Sequence, residues 1–538
     1  MQHLPLFLGA SPTSRSIPAL TARTIRLALL LSLVLTTCVL CSGMDDAPVP
    51  QTNPAIIINP TVGPPTTTVL VAGSGFDPYA AIDVYFDTTD MALVVTNGAG
   101  GFGGGSVQQG IAIQVPTSAL PGNHWITAVE RYGIKATQKP FLVRTDWAQF
   151  RFEPDHKGVN PYENVLSPLT VGNLDLHWSY QTGSRVSSSP AVADGMVYAG
   201  SLDGHLYALN ASSGALVWSY PMGSVSYSSP AVANGVVYVG SYDANLYALN
   251  ASAGTLLWKY TTGYNINSSP MVANGAVYVS SWDDSLYALN ASTGTLLWKY
   301  TTGSSIMLSS PAFANGVVYV GSDDDNLYAL NASTGTLLWK YATGFPVNSS
   351  PTVANGMAYV GSQDGNLYAL NASTGTLLWK YAIGSPVTCS PAANDGVVYV
   401  GGGLYGGYTL YALNANTGAL LWSYTTSGDI QSSPTVANGV VYVGSYDYNV
   451  YALDASTGAL LWRYLTGYWI DSSPTVVNGM VYVGSDDYNL YAFGLPSDEL
   501  ARDFSPAERP DPKLLVPDYS LRPNASVRAI NHSERNLN

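Results

Sequence analysis

Cysteine is nearly absent, with three in 538 residues, too few for the disulfide framework that staples small exported domains. Two of them, Cys38 and Cys41, fall in an apolar leader, which leaves Cys389 alone in the body of the chain. Charge is also sparse. Asp, Glu, Lys and Arg make up only 10%, and the balance is acidic, at a formal net charge of −14. That balance argues against nucleic acid as a partner, because phosphates call for a basic surface. Glutamate is missing altogether from 164 to 498, so a site there that needs converging carboxylates must draw them from aspartate. What the chain does have is a 46% hydrophobic fraction, 38 tyrosines, 53 glycines and 33 prolines. This is enough apolar material for a large core, and the glycines and prolines follow no collagen period. A chain this long exceeds one ordinary compact domain unless much of it is a closed repeat.

Residues 1–43 read as a signal peptide or an N-terminal anchor. Arg23 and Arg26 precede the run LALLLSLVLTTCVLC at 27–41, which Ser42 and Gly43 follow. The run is short for a membrane span, which needs about twenty apolar residues. Export is therefore expected (extracellular, cell surface or periplasmic), with membrane contact only through this segment, which is cleaved, lipidated at Cys38 or retained. Residues 44–54 form an acidic, proline-rich linker. Over 55–145 short alternating runs such as Ile82–Phe86 and Trp125–Val129 are separated by turn residues, which predicts a small β-sandwich. Its turns, Gly73-Ser74-Gly75-Phe76-Asp77-Pro78 and Pro121-Gly122-Asn123-His124, resemble those of bacterial immunoglobulin-like domains of the IPT/TIG kind, which serve as spacers or adhesive units. Residues 146–172 read as a connector, and 496–538 as a disordered tail.

Repeats dominate the rest. Ser-Ser-Pro or a near variant ends at Pro190, Pro230, Pro270, Pro311, Pro351, Pro391, Pro434 and Pro474. Trp178, Trp218, Trp258, Trp298, Trp339, Trp379, Trp422 and Trp462 keep the same spacing of about forty residues. One unit contains four short strands. The first follows Pro230, Asn234-Gly235 turns the chain into Val236–Gly240, a turn at Asp243 leads to Leu246–Leu249, and Asn250–Gly254 leads into Thr255–Tyr260. Four hairpin-linked strands per forty residues make a propeller blade. The first tryptophan strand, 176–180, precedes the first Ser-Ser-Pro, and the last unit stops after three strands. The fold predicted for 173–495 is therefore an all-β, eight-bladed β-propeller whose N-terminal strand completes the final blade, a strand exchange that closes the ring and hides its sheet edges. The tryptophans are expected on outer strands, docking neighbouring blades, and the prolines on the inner strands, where a missing N–H matters least.

The unit Tyr-Ala-Leu-Asn-Ala-Ser-Thr-Gly-Thr-Leu-Leu-Trp-Lys-Tyr at 287–300, with Ser-Ser-Pro-Thr-Val-Ala-Asn-Gly at 432–439, resembles the repeat of pyrroloquinoline-quinone-type (PQQ-like) propellers. That family includes quinone-dependent dehydrogenases and non-enzymatic members such as an outer-membrane assembly lipoprotein. The enzymes would imply a calcium held by a glutamate, an asparagine and usually an aspartate, a catalytic aspartate and, in alcohol dehydrogenases, a Cys-Cys ring. This chain offers no glutamate across the ring and no Cys-Cys pair, only Cys389, and its only ring histidines are His177 and His205. No catalytic, cofactor or metal residue is assigned.

The aspartates Asp203, Asp243, Asp283, Asp324, Asp364, Asp447 and Asp487 recur at one turn position. Spread around a ring they cannot share one metal, and turn capping explains them better than calcium. The Asn-Ala-Ser triplets at Asn210, Asn250, Asn290, Asn331 and Asn371 match a glycosylation pattern, but the equivalent Asp454 and Asn414 do not, so a turn role accounts for all of them. Cys389, standing where other copies have serine, reads as a small buried residue.

Positions where the copies disagree are not dictated by the fold. Three residues before each proline stand Ser187, Tyr227, Asn267, Leu308, Asn348, Thr388, Gln431 and Asp471, with Arg185, Tyr264, Asn265, Phe345, Tyr468 and Trp469 nearby. Radial blades would place them around one channel mouth, where an amide- and aromatic-rich rim suits protein, peptide or carbohydrate; drift of unconstrained loops is the alternative. The expected function is an exported, monomeric, non-catalytic binding or scaffolding protein without a cofactor. The alternatives are a PQQ- and calcium-dependent dehydrogenase and a surface adhesin or carbohydrate-binding protein.

Overall fold

The computed structural model describes residues 53–223, 227–403, 405–496 and 509–515. The leader and nearly all of the linker lie outside the described residues. Eight four-strand antiparallel blades follow one another, each running from an inner to an outer strand. In the second blade the order is Ala231–Ala233, Val236–Gly240, Asn245–Asn250 and Leu256–Thr261. The hairpin at Asn234-Gly235 has φ of 51° and 74°, the left-handed pair that a tight two-residue turn requires. The eighth blade contributes three strands and receives Asp175–Gln181, paired antiparallel with Asn489–Gly494, as its fourth. The predicted strand exchange is thus realised. Pro230 stands just ahead of its inner strand rather than within it, next to the serine that links its blade to the next.

Those serines divide the work. The first of each pair caps its own blade: Ser228 Oγ accepts the Gly240 amide at 3.0 Å. Cys389 does the same with Sγ for Gly401 at 3.2 Å, and burial pushes its thiol up to about 11, which keeps it protonated and unreactive. Cys389→Ser, which restores the residue used by the other blades, is expected to change stability by less than ~1 kcal/mol. Thermal unfolding checks this, and a larger loss would mean the thiol fills space that a hydroxyl cannot. The second serine links blades. The Ser189 amide donates to Ser229 Oγ, Ser229 to Ser269, and so on until the Ser473 amide donates to Ser189 Oγ at 2.9 Å, a closed circle of eight hydrogen bonds.

At the periphery each tryptophan docks on the next blade. Trp298 Nε1 donates to Ala332 O at 2.8 Å, and Tyr278 Oη reaches the same carbonyl at 3.1 Å. Gly335, at φ 70°, lies under the Trp298 indole, where a Cβ would come within 2.7 Å. The glycine of the Asn-Ala-Ser-Thr-Gly turn is therefore fixed by both its backbone and its neighbour. At the closure seam Trp178 reaches Ala211 O across the chain ends, while Trp462 takes Leu174 O.

The 146–172 connector does more than connect. It winds across one end of the central channel and offers acceptors to the inner strands in turn: Trp147 O to Val192, Ala148 O to Val232, Gln149 Oε1 to Val272, Pro154 O to Phe313, Asp155 O to Val353, Lys157 O to Ala393 and Gly158 O to Val436. In the eighth blade the Asn160 side-chain Nδ2 donates to Val476 O at 2.9 Å. Val159–Asn160 also adds a short parallel strand to the seventh blade. Inner strands present unpaired amides to the channel, and this segment satisfies them. Arg151 is fully buried at its centre, with Nη1 donating to Pro434 O at 2.7 Å and Nη2 to Pro391 O. The channel is plugged at this end.

Residues 55–143 fold as a three-stranded and a five-stranded sheet around Val69, Ile82, Val84, Ile126 and Phe141, the expected sandwich, with one parallel pair between Val62–Gly63 and Ala136–Val143. Asn164 of the connector holds it by donating to Ala119 O at 2.8 Å. The expectation of a disordered tail from 496 does not hold over 509–515. There Pro512–Leu515 makes a helical turn, Pro510 O accepts from Gln138, and Arg509 lies over the Trp125 ring at 5.1 Å. The rest of the tail lies outside the described residues, apart from Pro496.

Candidate functional site

The plug leaves one mouth open, and the channel becomes a blind cup of about 380 Å³ with Phe150 of the plug in its lining. Its wall carries the serine circle, and above it stand all eight positions that vary ahead of the prolines: Ser187, Tyr227, Asn267, Leu308, Asn348, Thr388, Gln431 and Asp471. Radial blades bring these residues, some forty apart in sequence, around one cavity. Arg185 and Trp469 also line the cup. Tyr264 and Tyr468 do not. Tyr264 stacks on Trp282 at 6.2 Å and is largely exposed, and Tyr468 stacks on Tyr448 at 5.4 Å beside Trp469. They extend the rim outward.

Two lining residues, Tyr446 and Asp486, escaped the sequence reading. They occupy the position just before the recurrent turn aspartate, where the other copies carry Leu202, Tyr242, Trp282, Asp323 and Gln363. That disagreement between copies was the available signal. The invariant aspartate beside it is spent on the fold. Asp243 accepts the Tyr247 hydroxyl at 2.5 Å, the Gly223 amide at 3.1 Å and the Asn245 amide at 3.0 Å. In the sixth blade, where Gly401–Tyr408 replaces the turn, Asp429 accepts the amides of Tyr405, Gly406 and Gly407 instead.

The cup is electrostatically lopsided. On the eighth-blade side Asp471 Oδ1 accepts the Tyr446 hydroxyl at 2.5 Å. Asp486, whose side chain is 1% exposed, accepts the Ser187 hydroxyl at 2.9 Å and faces Arg185 Nη1 at 3.5 Å. Burial pushes the Asp471 carboxyl up to about 6, helped by the neighbouring Asp486 charge, and burial also raises Asp486. Tyr446 and Trp469 stack nearly parallel, with centroids 4.8 Å apart. Across the cup Asn267 Oδ1, Asn348 Oδ1 and Thr388 Oγ1 are buried without a hydrogen-bond partner. Among the described residues no three His, Cys, Asp or Glu side chains converge as a metal site would require.

A ring of eight four-strand blades, closed by its own N-terminal strand and hollowed into a cup, defines a propeller of the quinoprotein kind. Successive overlapping matches at 174–228, 223–311, 303–388, 374–468 and 449–517 show that the chain belongs to the family described as outer membrane protein assembly factor BamB. No curated protein sequence matches it. Among solved structures, BamB from Moraxella catarrhalis is similar at TM-score 0.53 and 20% identity, covering 60% of this chain and 99% of that one. A europium-containing methanol dehydrogenase gives TM-score 0.57 at 16% identity, covering 65% and 98%. A computationally designed protein, Ika8, gives 0.53 at 18%, covering 58% and 97%. Enzyme, assembly factor and design share the ring, so these likenesses carry the fold alone.

Proposed function

We propose that this chain is an exported, non-catalytic interaction protein whose blind cup and rim receive part of a protein partner. The observation that carries this reading is that the variable positions of all eight blades surround one cavity, while the repeated residues are consumed by the fold. The family's description as an outer membrane protein assembly factor supports a scaffolding role in the periplasm or at the outer membrane. The 27–41 segment would supply membrane attachment, and the sandwich, read as immunoglobulin-like, would act as a spacer. No helix among the described residues is long and apolar enough to cross a membrane.

The donor set of the cup does not fit the quinone. Pyrroloquinoline quinone is a tricarboxylate, and the cup offers it two buried carboxylates and one guanidinium that already faces Asp486. Bringing like charges together in a poorly solvated cavity is unfavourable unless a cation bridges them, and two carboxylates fall short of the converging set that calcium calls for. Calorimetric titration of the full chain with the quinone and calcium tests the reading. No saturable heat from a protein with a native β spectrum is expected, and stoichiometric tight binding would overturn it. Saturable binding of neutral oligosaccharides instead of peptides would move the assignment to a carbohydrate receptor.

A further inference from the structure

We propose that the cup admits the guanidinium group of an arginine side chain presented by a polypeptide partner, an inference that rests on the interaction-protein reading above. The chemistry of the wall is one-sided. Asp471 and Asp486 stand together in the eighth blade, and no other blade carries carboxylates at both of these positions. Their compensation is incomplete: Arg185 approaches Asp486 only to 3.5 Å and keeps 45% of its side chain exposed. Buried carboxylates whose charge is not matched favour an entering cation.

The opposite wall gives independent support. Asn267 and Asn348 are each 7% exposed, and the oxygen of each amide accepts no hydrogen bond within the protein. A buried acceptor left unsatisfied costs ~1–3 kcal/mol; both oxygens are covered by their surroundings, and a donor-rich guest removes the penalty by drawing the amide round to face the cup. An anion would meet carboxylates on one side and amide oxygens on the other, and an apolar group would leave every acceptor unsatisfied. Guanidinium carries five N–H donors and no acceptor, is planar, and stacks on aromatic rings such as those of Tyr446 and Trp469. The copies also show that this wall is a local feature, because the fold accepts Leu, Tyr, Trp or Gln where Asp486 stands, and the other aspartate at that position, Asp323, does not line the cup.

Isothermal titration of the full chain with Nα-acetyl-argininamide, and with its citrulline counterpart of the same shape but without charge, tests the proposal. One saturable site is expected for the arginine probe, with affinity at least tenfold weaker for citrulline. Asp471→Asn combined with Asp486→Asn should weaken the arginine probe at least tenfold. Asn348→Leu, on the far wall, should weaken it severalfold and stands as the second variant should the double substitution fold poorly. Equal affinity for the two probes, no saturable binding, or undiminished affinity in these variants would overturn the proposal. If neither arginine nor quinone with calcium binds, this inference alone fails; if the quinone binds stoichiometrically, the interaction-protein reading fails with it.

Discussion

Replacing Arg151 with alanine is expected to lower the stability of the ring by ~3–5 kcal/mol, the largest effect of any single substitution in the plug. The guanidinium is fully buried, and its contacts are the carbonyls of Pro391, Pro434 and His156. Burial lowers its pKa to about 9, so the charge is held by oriented carbonyl dipoles rather than by a carboxylate. Pro391 O would keep the Thr352 hydroxyl at 2.6 Å, but Pro434 O would lose the Arg151 donor in a site closed to water. An orphaned carbonyl contributes ~1–3 kcal/mol of destabilisation, and the cavity left beside Gly158 adds a comparable amount. Urea-induced unfolding, followed by tryptophan fluorescence, measures the difference. A loss below ~1 kcal/mol would mean that the backbone hydrogen bonds of the plug suffice without its central side chain.

His156→Phe is expected to gain about 3 kcal/mol relative to the unsubstituted protein as pH falls from 7 to 4. His156 is buried against Phe150 at 5.5 Å, and burial together with the Arg151 charge pushes its pKa down to about 3. An unfolded histidine titrates near ~6.5. Below that pH the unfolded chain takes up a proton that the native imidazole refuses, so native stability declines by ~1.4 kcal/mol per unit until about 3. Asp471 acts with the opposite sign. Its native carboxyl keeps a proton up to about 6, against ~3.8 when unfolded, so lowering the pH through that window favours the native state. The two slopes offset each other in the unsubstituted protein, which is why the difference between the two proteins, not either curve alone, reports on His156. Denaturation midpoints at pH 7, 5.5 and 4 supply the comparison. A difference that does not change with pH would show that the imidazole is already solvated.

Much of the architecture is written in local pattern. Asn-Gly pairs, Ser-Ser-Pro steps and tryptophans at forty-residue spacing specify hairpins, blade junctions and outer strands, because each depends on contacts within one unit or with the next. The out-of-phase ends, a tryptophan strand before the first unit and a three-strand last unit, were enough to give the ring closure. The plug could not be read in this way. Segment 146–160 has no period, and its hydrogen bonds go to inner strands at Val192, Val232, Val353 and Val436, partners far apart in sequence and gathered only by the closed ring. Left-handed backbone at Arg151, Phe152 and His156 leaves no mark in the residue types.

The rim positions are marked by disagreement between copies, and the position one residue ahead of the turn aspartates, which holds Tyr446 and Asp486, disagrees between copies in the same way. By itself the sequence determined eight blades, the order of strands within them and which residues the repeat uses up, since these follow from turn chemistry and alternation over short distances. Only the tertiary structure decided that the channel is closed at one end, and that its open end sets Asp471 and Asp486 against unpartnered amide oxygens. Burial and charge proximity arise from residues brought together around an axis, and that arrangement is not encoded by spacing along the chain.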